Sequence, residues 1–336
     1  MKKLIGLDIG SYSVKAVDIK VSSKDIEIKN FGHDLLSRES IVEGEIMDTN
    51  LIEEVIRTIF TRRKIKNKNL SISISGRNLI LKSVQIDAVG EEKVRNTLEY
   101  EFPNHIPYER DDIYYDFSIV SEEGGRSDVL IAAAKKEVVN SRVNLLKSLG
   151  LVPLAVDTAA MAIQNAYEAI RGPITGTVFI ADIGAEKTSF SIVVNGVPKF
   201  VREIPVGGNH YTDVIAKELG VNYEVAERIK LGEEKSDSRL EEFFDATNQN
   251  LSNQMKRSLE YIKGNAPLMV NKGVLTGGGA LTPGLLDFLK EEMEASEMEI
   301  FNPVEHVKAP SELLPELQKV GPALSVCIGL AMRKVK

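Results

Sequence analysis

Tryptophan is absent from the 336-residue sequence, and cysteine occurs once, as Cys327. A single cysteine cannot build an internal disulfide framework and offers no set of thiolates to a metal, so the chain fits a reducing cytoplasm. The four histidines, at positions 33, 105, 210 and 306, lack the spacing of metal ligands. Disulfide-rich domains and metal sites built on cysteine or histidine are therefore not expected.

Long apolar segments are missing as well. The longest uncharged apolar stretch near the end, residues 320–332, has 13 residues and contains glycine and proline, which is too short to span a bilayer. The apolar run after Lys2 and Lys3 is broken at Asp8, so the core of a signal peptide is not expected. The sequence predicts no direct membrane insertion, although it leaves open an association with the membrane through a partner.

Positive charge is in the minority, with 42 Lys and Arg against 49 Asp and Glu and a net charge of −7. This balance argues against a general nucleic-acid binder. The Gly-x-x-x-x-Gly-Lys-Ser/Thr, Gly-x-Ser-x-Gly and His-Glu-x-x-His motifs are all absent, so other NTPase and hydrolase classes lose their main signatures. Because the chain exceeds the ~250–300 residues at which a single core stops growing, two lobes are expected.

The stretch from Gly6 to Lys15 predicts a buried strand, a tight turn and a second strand. The turn at Gly10 and Ser11 offers backbone N–H donors, Lys15 offers a positive charge, and Asp8 offers a carboxylate to a hydrated divalent cation. Such a hairpin can cradle a phosphate. Taken alone, however, an Asp-x-Gly-Ser sequence is more often an ordinary hairpin turn.

The same pattern recurs 174 residues later, at Asp182-Ile183-Gly184. Two copies, each with a carboxylate and an N–H-rich turn, predict a duplicated architecture that grips a polyphosphate between two lobes. Asp8 and Asp182 would flank a Mg²⁺ ion through water, since Mg²⁺ dehydrates reluctantly. A third loop, Gly277-Gly278-Gly279, lies between a strand and a helix and predicts close approach of the backbone to a ligand.

Residues 82–150 interrupt the first copy with a different organisation. The pattern predicts a helix over 91–102, strands over 113–120 and 129–134, and a helix over 136–149 ended by Gly150. With the preceding strand, this forms a β-α-β-β-α block of the size of a small α+β insert.

The order of these segments resembles the actin/Hsp70/sugar-kinase ATPase superfamily over nearly the whole chain. Residues 6–15 and 182–191 look like its two phosphate motifs, and residues 273–286 look like its adenosine motif. Residues 154–169 and 321–332 look like its two connecting segments. The resemblance implies an α/β, actin-like ATPase fold with two duplicated, ribonuclease H-like lobes.

Within the superfamily, the sequence resembles the type IV pilus assembly protein PilM family, whose members are relatives of the division protein FtsA. The matching segments are residues 6–11, 13–17, 44–48, 99–101, 106–107, 114–117, 128–136, 205–209 and 275–280. One departure is Tyr100, where the family usually has a tryptophan.

The resemblance also implies a domain organisation. The first lobe (1A) would comprise residues 1–81 and 151–172, with residues 82–150 as an inserted 1C subdomain. The second lobe (2A and 2B) would comprise residues 173–336, and its terminal helix, 321–334, would return toward the first lobe.

The implied cofactors are ATP and Mg²⁺, and the implied job is that of a structural scaffold. Its partner would be the N-terminal cytoplasmic tail of a bitopic inner-membrane pilus protein of the PilN type. Pilus motor ATPases and a second copy of this chain are further candidate partners. The protein would be cytoplasmic and peripheral to the inner membrane through its partners.

The family's site residues carry over to matching positions of this sequence. Asp8 and Asp182 would organise Mg²⁺. The implied phosphate and nucleoside contacts are Gly10, Ser11, Tyr12, Ser13, Lys15, Gly184, Gly207, Gly208, Lys256, Gly277, Gly278 and Gly279. For Lys256, a solvent-facing lysine is an equal alternative.

Asp157 occupies the position of the acid that orients the attacking water in relatives. Its side chain is one methylene shorter than the Glu common in chaperones, so at most slow hydrolysis is expected. An alternative role for Asp157 is to cap the helix that starts at Thr158.

An extended apolar tail is expected to bind in a groove beside the insert. The candidate groove residues are Tyr100, Phe102, Ile106, Pro107 and Tyr108. The same residues could equally be the core of the insert.

Rival functions differ in what they require of the chain. An FtsA-like filament protein would usually carry a C-terminal amphipathic helix, whereas this sequence ends four residues after Met332. An Hsp70-type chaperone would need a peptide-binding domain after the second connecting helix. An actin-fold small-molecule kinase is usually longer, with a larger substrate lobe. A related secretion-system scaffold stays open, because the two machineries share parts.

Overall fold

The computed structural model describes residues 2–22, 25–76, 79–235, 239–264 and 269–335. We refer to residues 2–76 and 149–171 as the first lobe, to residues 79–148 as the insert, and to residues 172–335 as the second lobe. The first lobe opens with β1 (Ile5–Ile9), β2 (Ser13–Val21), β3 (Ile26–Leu35), β4 (Ile41–Val42), β5 (Glu45–Ile46), α1 (Thr49–Arg62) and β6 (Asn69–Ile74).

The insert comprises β7 (Leu79–Ile86), α2 (Glu91–His105), β8 (Ile113–Glu123), β9 (Arg126–Lys135) and α3 (Lys136–Ser148). Its strands form an antiparallel sheet of order β7-β9-β8. The two helices and two later strands occur where the sequence pattern predicts them. β7 begins three residues before the expected start of the insert at residue 82, because the pairing with β9 starts at Leu79.

The chain returns to the first lobe through β10 (Val152–Thr158) and α4 (Ala159–Arg171). The first-lobe sheet has the order β10-β6-β1-β2-β3. β1 is antiparallel to β2 and parallel to β6, so it is the central strand and its apolar residues are buried. In this register Asp8 lies opposite Lys15 on β2.

The second lobe repeats this arrangement. Its elements are β11 (Thr177–Ile183), β12 (Thr188–Val194), β13 (Val197–Ile204), α5 (Gly208–Leu219), α6 (Tyr223–Lys230), α7 (Leu240–Phe243), α8 (Asp245–Lys263), β14 (Val270–Thr276), α9 (Leu285–Glu292), β15 (Ala295–Ile300), α10 (Leu314–Val320) and α11 (Ser325–Ala331). The sheet order is β13-β12-β11-β14-β15. β11 is antiparallel to β12 and parallel to β14, as β1 is to β2 and β6. The predicted duplication is therefore present in the strand topology.

The last part of the chain crosses back to the first lobe. Helix α11 packs against β1, β2 and α4, and its approach is so close that a Cβ at Gly6 would lie 1.9 Å from the Cys327 carbonyl oxygen. On the other side of α11, a Cβ at Gly329 would lie 1.8 Å from the Ala162 carbonyl oxygen. Two glycines therefore set the distance at which the connecting helices pack.

One apolar core joins the lobes. It contains Val17 and Phe31 from the first sheet, Ile180 from the second, and Leu324 and Ile328 from the C-terminal segment. Since no helix in the described ranges is both long and apolar enough, none of them could cross a membrane.

Candidate functional site

The β1–β2 hairpin places a carboxylate and an ammonium group side by side. The Lys15 Nζ donates a hydrogen bond to Asp8 Oδ2 at 2.9 Å, and the turn is closed by Gly10 N–H donating to the Ser13 carbonyl at 3.1 Å. Burial alone would lower the pKa of Lys15, but the charge of Asp8 and the hydrogen bond to it raise this pKa. Lys15 is therefore held as a cation although it is 8% exposed.

Asp182 lies at the equivalent end of β11, across the cleft from this pair. Burial and then the negative charge of Asp8 raise the pKa of Asp182 to about 6, against an opposing effect of Lys15. The structure thus brings together the two aspartates and the lysine that the sequence singled out. When two buried carboxylates repel each other, a cation between them stabilises their ionised forms.

The second phosphate hairpin carries the predicted glycines of the second lobe. Gly184 N–H donates to the Lys187 carbonyl at 2.9 Å, and Gly208 N–H donates to the Gly184 carbonyl at 2.8 Å. A Cβ at Gly207 would lie 2.5 Å from the Ala185 carbonyl oxygen. Only glycine fits this contact, so the start of α5 is held directly against the hairpin.

The third glycine loop packs on the same aspartate. Gly277 has a φ of +81°, and a Cβ there would lie 2.4 Å from Asp182 Oδ1. A Cβ at Gly279 would lie 2.5 Å from the Ile183 side chain, whereas one at Gly278 would meet nothing closer than 3.9 Å. Contact with β11 accounts for glycine at 277 and 279, and Gly278 is the position with free space.

Glu227 and Lys230, which the sequence analysis did not single out, lie next to these loops. Lys230 on α6 donates to the Gly208 carbonyl at 3.1 Å and to Glu227 Oε2 at 2.8 Å, and burial lowers its pKa against the effect of Glu227. Burial and the Glu227 carboxylate also raise the pKa of Tyr12. Tyr12 is on the first-lobe turn, so this cluster spans the cleft. A Glu-x-x-Lys pair on a helix has no signal of its own in the sequence.

Arg38 bridges the two lobes beside that cluster. Its Nη2 donates to Asp213 Oδ2 at 2.8 Å, and its guanidinium carbon lies 4.4 Å from the centre of the Tyr223 ring. Both partners belong to the second lobe. The loop that carries Arg38 is tied to the phosphate turn, because Leu36 N–H donates to the Tyr12 carbonyl at 2.9 Å.

Asp157 interacts with Thr158 and Arg333 rather than with Asp8, Lys15 or Asp182. Its Oδ1 accepts from Thr158 N–H at 2.8 Å, and its Oδ2 lies 3.1 Å from Arg333 Nε without the alignment of a hydrogen bond. Burial raises its pKa, and the charge that opposes this is Arg333 rather than Lys15. The capping alternative for Asp157 is wrong, because the Thr158 side chain caps α4 by accepting from Met161 N–H.

Lys256 extends from α8 to Glu292 on α9, at 2.5 Å. The surface alternative describes this placement well, since more than a third of the side chain is exposed and it forms an ion pair within the second lobe.

The five candidate groove residues divide by burial. Phe102 and Ile106 are 2% and 1% exposed and belong to the core of the insert, where Phe102 packs on Tyr115 with ring centres 5.0 Å apart. Tyr100 is 89% exposed. Pro107 is also exposed, and Tyr108 is half-buried. Phe102 and Ile106 therefore belong to the core of the insert rather than to a surface groove. Tyr100 is exposed and stays a candidate for partner binding.

The residues present fit a Mg²⁺-nucleotide. Oxygen ligands suit Mg²⁺, and a cation would relieve the repulsion that raises the pKa of Asp182. Lys15 supplies a positive charge, and the turns at Gly10 and Gly184 supply N–H groups for phosphate oxygens. No cluster of three or more His, Cys, Asp or Glu residues that could hold a metal occurs in the described residues.

Comparison with known proteins identifies the family of this chain. The model of the family described as type IV pilus assembly protein PilM matches residues 6–335. The structure is similar to a PilM–PilN type IV pilus biogenesis complex, with a TM-score of 0.84 and 25% identity over 100% of this chain and 99% of that one. The cell division protein FtsA of Enterococcus hirae is 25% identical over 85% of this chain and 75% of FtsA.

A more distant similarity concerns the fold. MreB5 of Spiroplasma citri, solved with bound ADP, matches with a TM-score of 0.54 and 15% identity over 98% of this chain and 95% of that one. The predicted α/β, actin-like ATPase fold with two duplicated lobes is confirmed.

Proposed function

The chain belongs to the PilM family of type IV pilus assembly proteins, and from this premise we propose that it is an ATP-binding scaffold. Its ligand in the cleft is a Mg²⁺-nucleotide. Its protein partner is the N-terminal cytoplasmic tail of a PilN-type inner-membrane protein. Binding such a tail requires the chain to act on the cytoplasmic face of the inner membrane, which it reaches through this partner.

The observation that carries the nucleotide proposal is the meeting of Asp8, Lys15 and Asp182 between two glycine-built hairpins. Asp8 and Asp182 would hold Mg²⁺ through water, and Lys15 would face the phosphates as a point charge. Bound there, Mg²⁺ would neutralise phosphate charge. Gly10, Ser11, Ser13, Gly184, Gly207 and Gly208 would line the phosphates, with Gly277, Gly278 and Gly279 toward the nucleoside.

Tyr12, Glu227 and Lys230 close the same cleft from both lobes. The Glu227 carboxylate is an acceptor suited to ribose hydroxyls, and Lys230 Nζ donates a hydrogen bond to it at 2.8 Å. We expect at most slow hydrolysis, because Asp157 is paired with Arg333 at 3.1 Å. The nucleotide would serve mainly to fix the angle between the lobes.

The partner proposal is supported by the similarity to a PilM that was solved together with PilN. The insert presents Tyr100 to solvent at 89% exposure, and aromatic residues of this kind are common anchors in peptide recognition. Pilus motor ATPases and a second copy of this chain stay proposals without a specific contact to support them.

Calorimetric titration with Mg²⁺-ATP tests the nucleotide proposal. Asp8→Ala is expected to weaken binding by at least about tenfold, the scale of losing a residue that orients a metal site. Asp34→Ala is the matched control, since Asp34 lies in the same sheet but pairs with Arg62 at the surface, at 2.7 Å. Equal affinities of wild type and Asp8→Ala would show that the cleft does not hold the nucleotide in this way.

A second titration uses a synthetic N-terminal tail of a PilN-type protein from the organism that encodes this chain, and a scrambled tail as control. Saturable binding of the native sequence is expected in the presence of Mg²⁺-ATP. If neither the wild-type tail nor the membrane protein itself binds, with or without nucleotide, the scaffold proposal fails while the nucleotide proposal is unaffected.

A further inference from the structure

Arg142 is a buried cation that the insert contributes to the junction of the three parts. It lies on α3, is 4% exposed, and its Nη2 donates to the Gly44 carbonyl at 2.9 Å. Within the described ranges, no carboxylate lies within 4 Å of its guanidinium. A buried arginine without an ion-pair partner is expensive, and an apolar residue of similar size would pack there at lower cost.

The carbonyl that Arg142 holds belongs to a tight turn of the first lobe. Glu43 and Gly44 link β4 to β5 and both have positive φ, +51° and +90°. This is the signature of a two-residue hairpin turn of restricted geometry. A displacement on one side of such a turn is passed to the other side rather than absorbed by it.

The second lobe also lies beside this turn. Glu186 and Lys187 lie in the phosphate hairpin that starts at Gly184. Burial raises the pKa of Glu186, and the charge of Lys187 and the backbone of Glu43 oppose this effect. Lys187 Nζ pairs with Glu203 at 2.8 Å and lies 3.8 Å from where a Cβ at Gly44 would be. The phosphate hairpin, the Gly44 turn and Arg142 therefore form a continuous path from the cleft to the insert.

Arg142 also lies within electrostatic reach of the cleft. Burial lowers the pKa of its guanidinium, and the charge that opposes this effect is that of Asp8. By comparison, Asp157 interacts with Arg333 and not with Asp8. The insert therefore places a positive charge near the centre where a polyphosphate and Mg²⁺ would change the local charge.

We propose that Arg142 is the positioning residue through which the insert responds to the nucleotide, acting on the Gly44 turn that the phosphate hairpin also holds. The inference rests on the proposed nucleotide binding and adds its regulation. A nucleotide that moves the hairpin shifts the turn and, through the Arg142 hydrogen bond, helix α3. Because such coupling is reciprocal, a ligand of the insert changes nucleotide affinity by the same factor.

Hydrogen exchange of the full chain, with and without saturating Mg²⁺-ATP, tests this. In the wild type, amides of α3 are expected to exchange at least about fivefold more slowly with nucleotide, the lower end of typical coupling. Arg142→Met is expected to bind Mg²⁺-ATP within about tenfold of wild type but to lose this response. Arg62→Met is the matched control, since Arg62 pairs with Asp34 at the surface of the first lobe, and it should respond like the wild type.

A second variant guards against misfolding of Arg142→Met. Lys187→Met removes the ammonium group that lies beside the Gly44 turn and pairs with Glu203. This variant is expected to reduce the α3 response as well, because both side chains lie at one turn. An undiminished response in either folded variant, or no α3 response in a wild type that binds Mg²⁺-ATP, overturns the inference and leaves nucleotide binding intact. A wild type with no measurable Mg²⁺-ATP affinity overturns the proposed function and this inference with it.

Discussion

Asp8 and Asp182 end equivalent strands of two duplicated sheets, and each faces the same cleft. Asp8 is paired with Lys15 at 2.9 Å, whereas Asp182 has its pKa raised to about 6 by burial and by the charge of Asp8. The duplication is therefore symmetric in topology and asymmetric in electrostatics. One aspartate is compensated by an ion pair within the chain, whereas the other keeps a raised pKa.

Asp182→Asn is expected to stabilise the ligand-free protein at neutral pH. The pKa of Asp182 rises from 3.8 to about 6 on folding, so the carboxyl favours the folded state at pH below about 4 and this contribution is lost as pH rises through 6. An asparagine has no charge to bury. Urea unfolding should give a gain of about 3 kcal/mol at pH 7.5 that disappears toward pH 4.

The same variant should bind Mg²⁺-ATP more weakly, which links the stability gain to a loss of function. A gain of equal size at pH 4 and pH 7.5 would contradict the electrostatic origin of the effect.

Arg38→Ala is expected to speed nucleotide release. Arg38 joins the lobes through Asp213 at 2.8 Å and through the Tyr223 ring. Half of each charged side chain is exposed, so the bridge contributes about 0.5–1 kcal/mol, equivalent to a two- to fivefold faster dissociation. Stopped-flow release of a fluorescent ATP analogue measures this rate.

Arg62→Ala is the control for that experiment, because its 2.7 Å ion pair with Asp34 stays within the first lobe. Arg38→Ala should release the nucleotide faster than the wild type, whereas Arg62→Ala should release it at the wild-type rate. Equal release from the two variants would show that the bridge does not restrain the cleft.

Gly6→Ala is expected to destabilise the fold by about 2 kcal/mol or more, because a Cβ would lie 1.9 Å from the Cys327 carbonyl oxygen and push α11 away from β1. Gly10→Ala is the matched change in the same hairpin, where the nearest atom would be at 3.5 Å. Its free energy of unfolding should stay within about 0.5 kcal/mol of wild type. Denaturant titration of both variants without nucleotide measures the two effects separately, since Gly6→Ala changes the packing of α11 on β1 and Gly10→Ala changes only the turn.

Tyr100→Ala and Phe102→Ala separate partner binding from folding. Tyr100 is 89% exposed, so its removal should leave stability within about 0.5 kcal/mol of wild type while weakening tail binding by about tenfold. Phe102 is 2% exposed, so Phe102→Ala should lower the free energy of unfolding by about 3–5 kcal/mol. Tail affinity unchanged by Tyr100→Ala would place the groove elsewhere on the insert.

The sequence by itself determined the duplication and the elements of the insert. Asp8 and Asp182 each follow a short apolar strand and precede a glycine turn, and such signals depend on residues near in sequence. The helices predicted at 91–102 and 136–149 correspond to α2 and α3 for the same reason. The fold and the PilM family were therefore accessible before any coordinates, whereas the domain limits and site roles stay predictions.

Only the tertiary structure decided which charges meet. Arg142 and Lys230 have no motif around them, and they meet Gly44 and Gly208 because α3 and α6 pack from distant parts of the chain. Asp157 has the position of a catalytic acid, but the C-terminal segment brings Arg333 to it. Burial and long-range pairing set the electrostatics of a side chain, and neither is encoded in its sequence neighbours. The stretch from Gly6 to Lys15 thus contains the Asp8–Lys15 pair within one hairpin, whereas Asp182, whose pKa Asp8 raises, comes from 174 residues further along the chain.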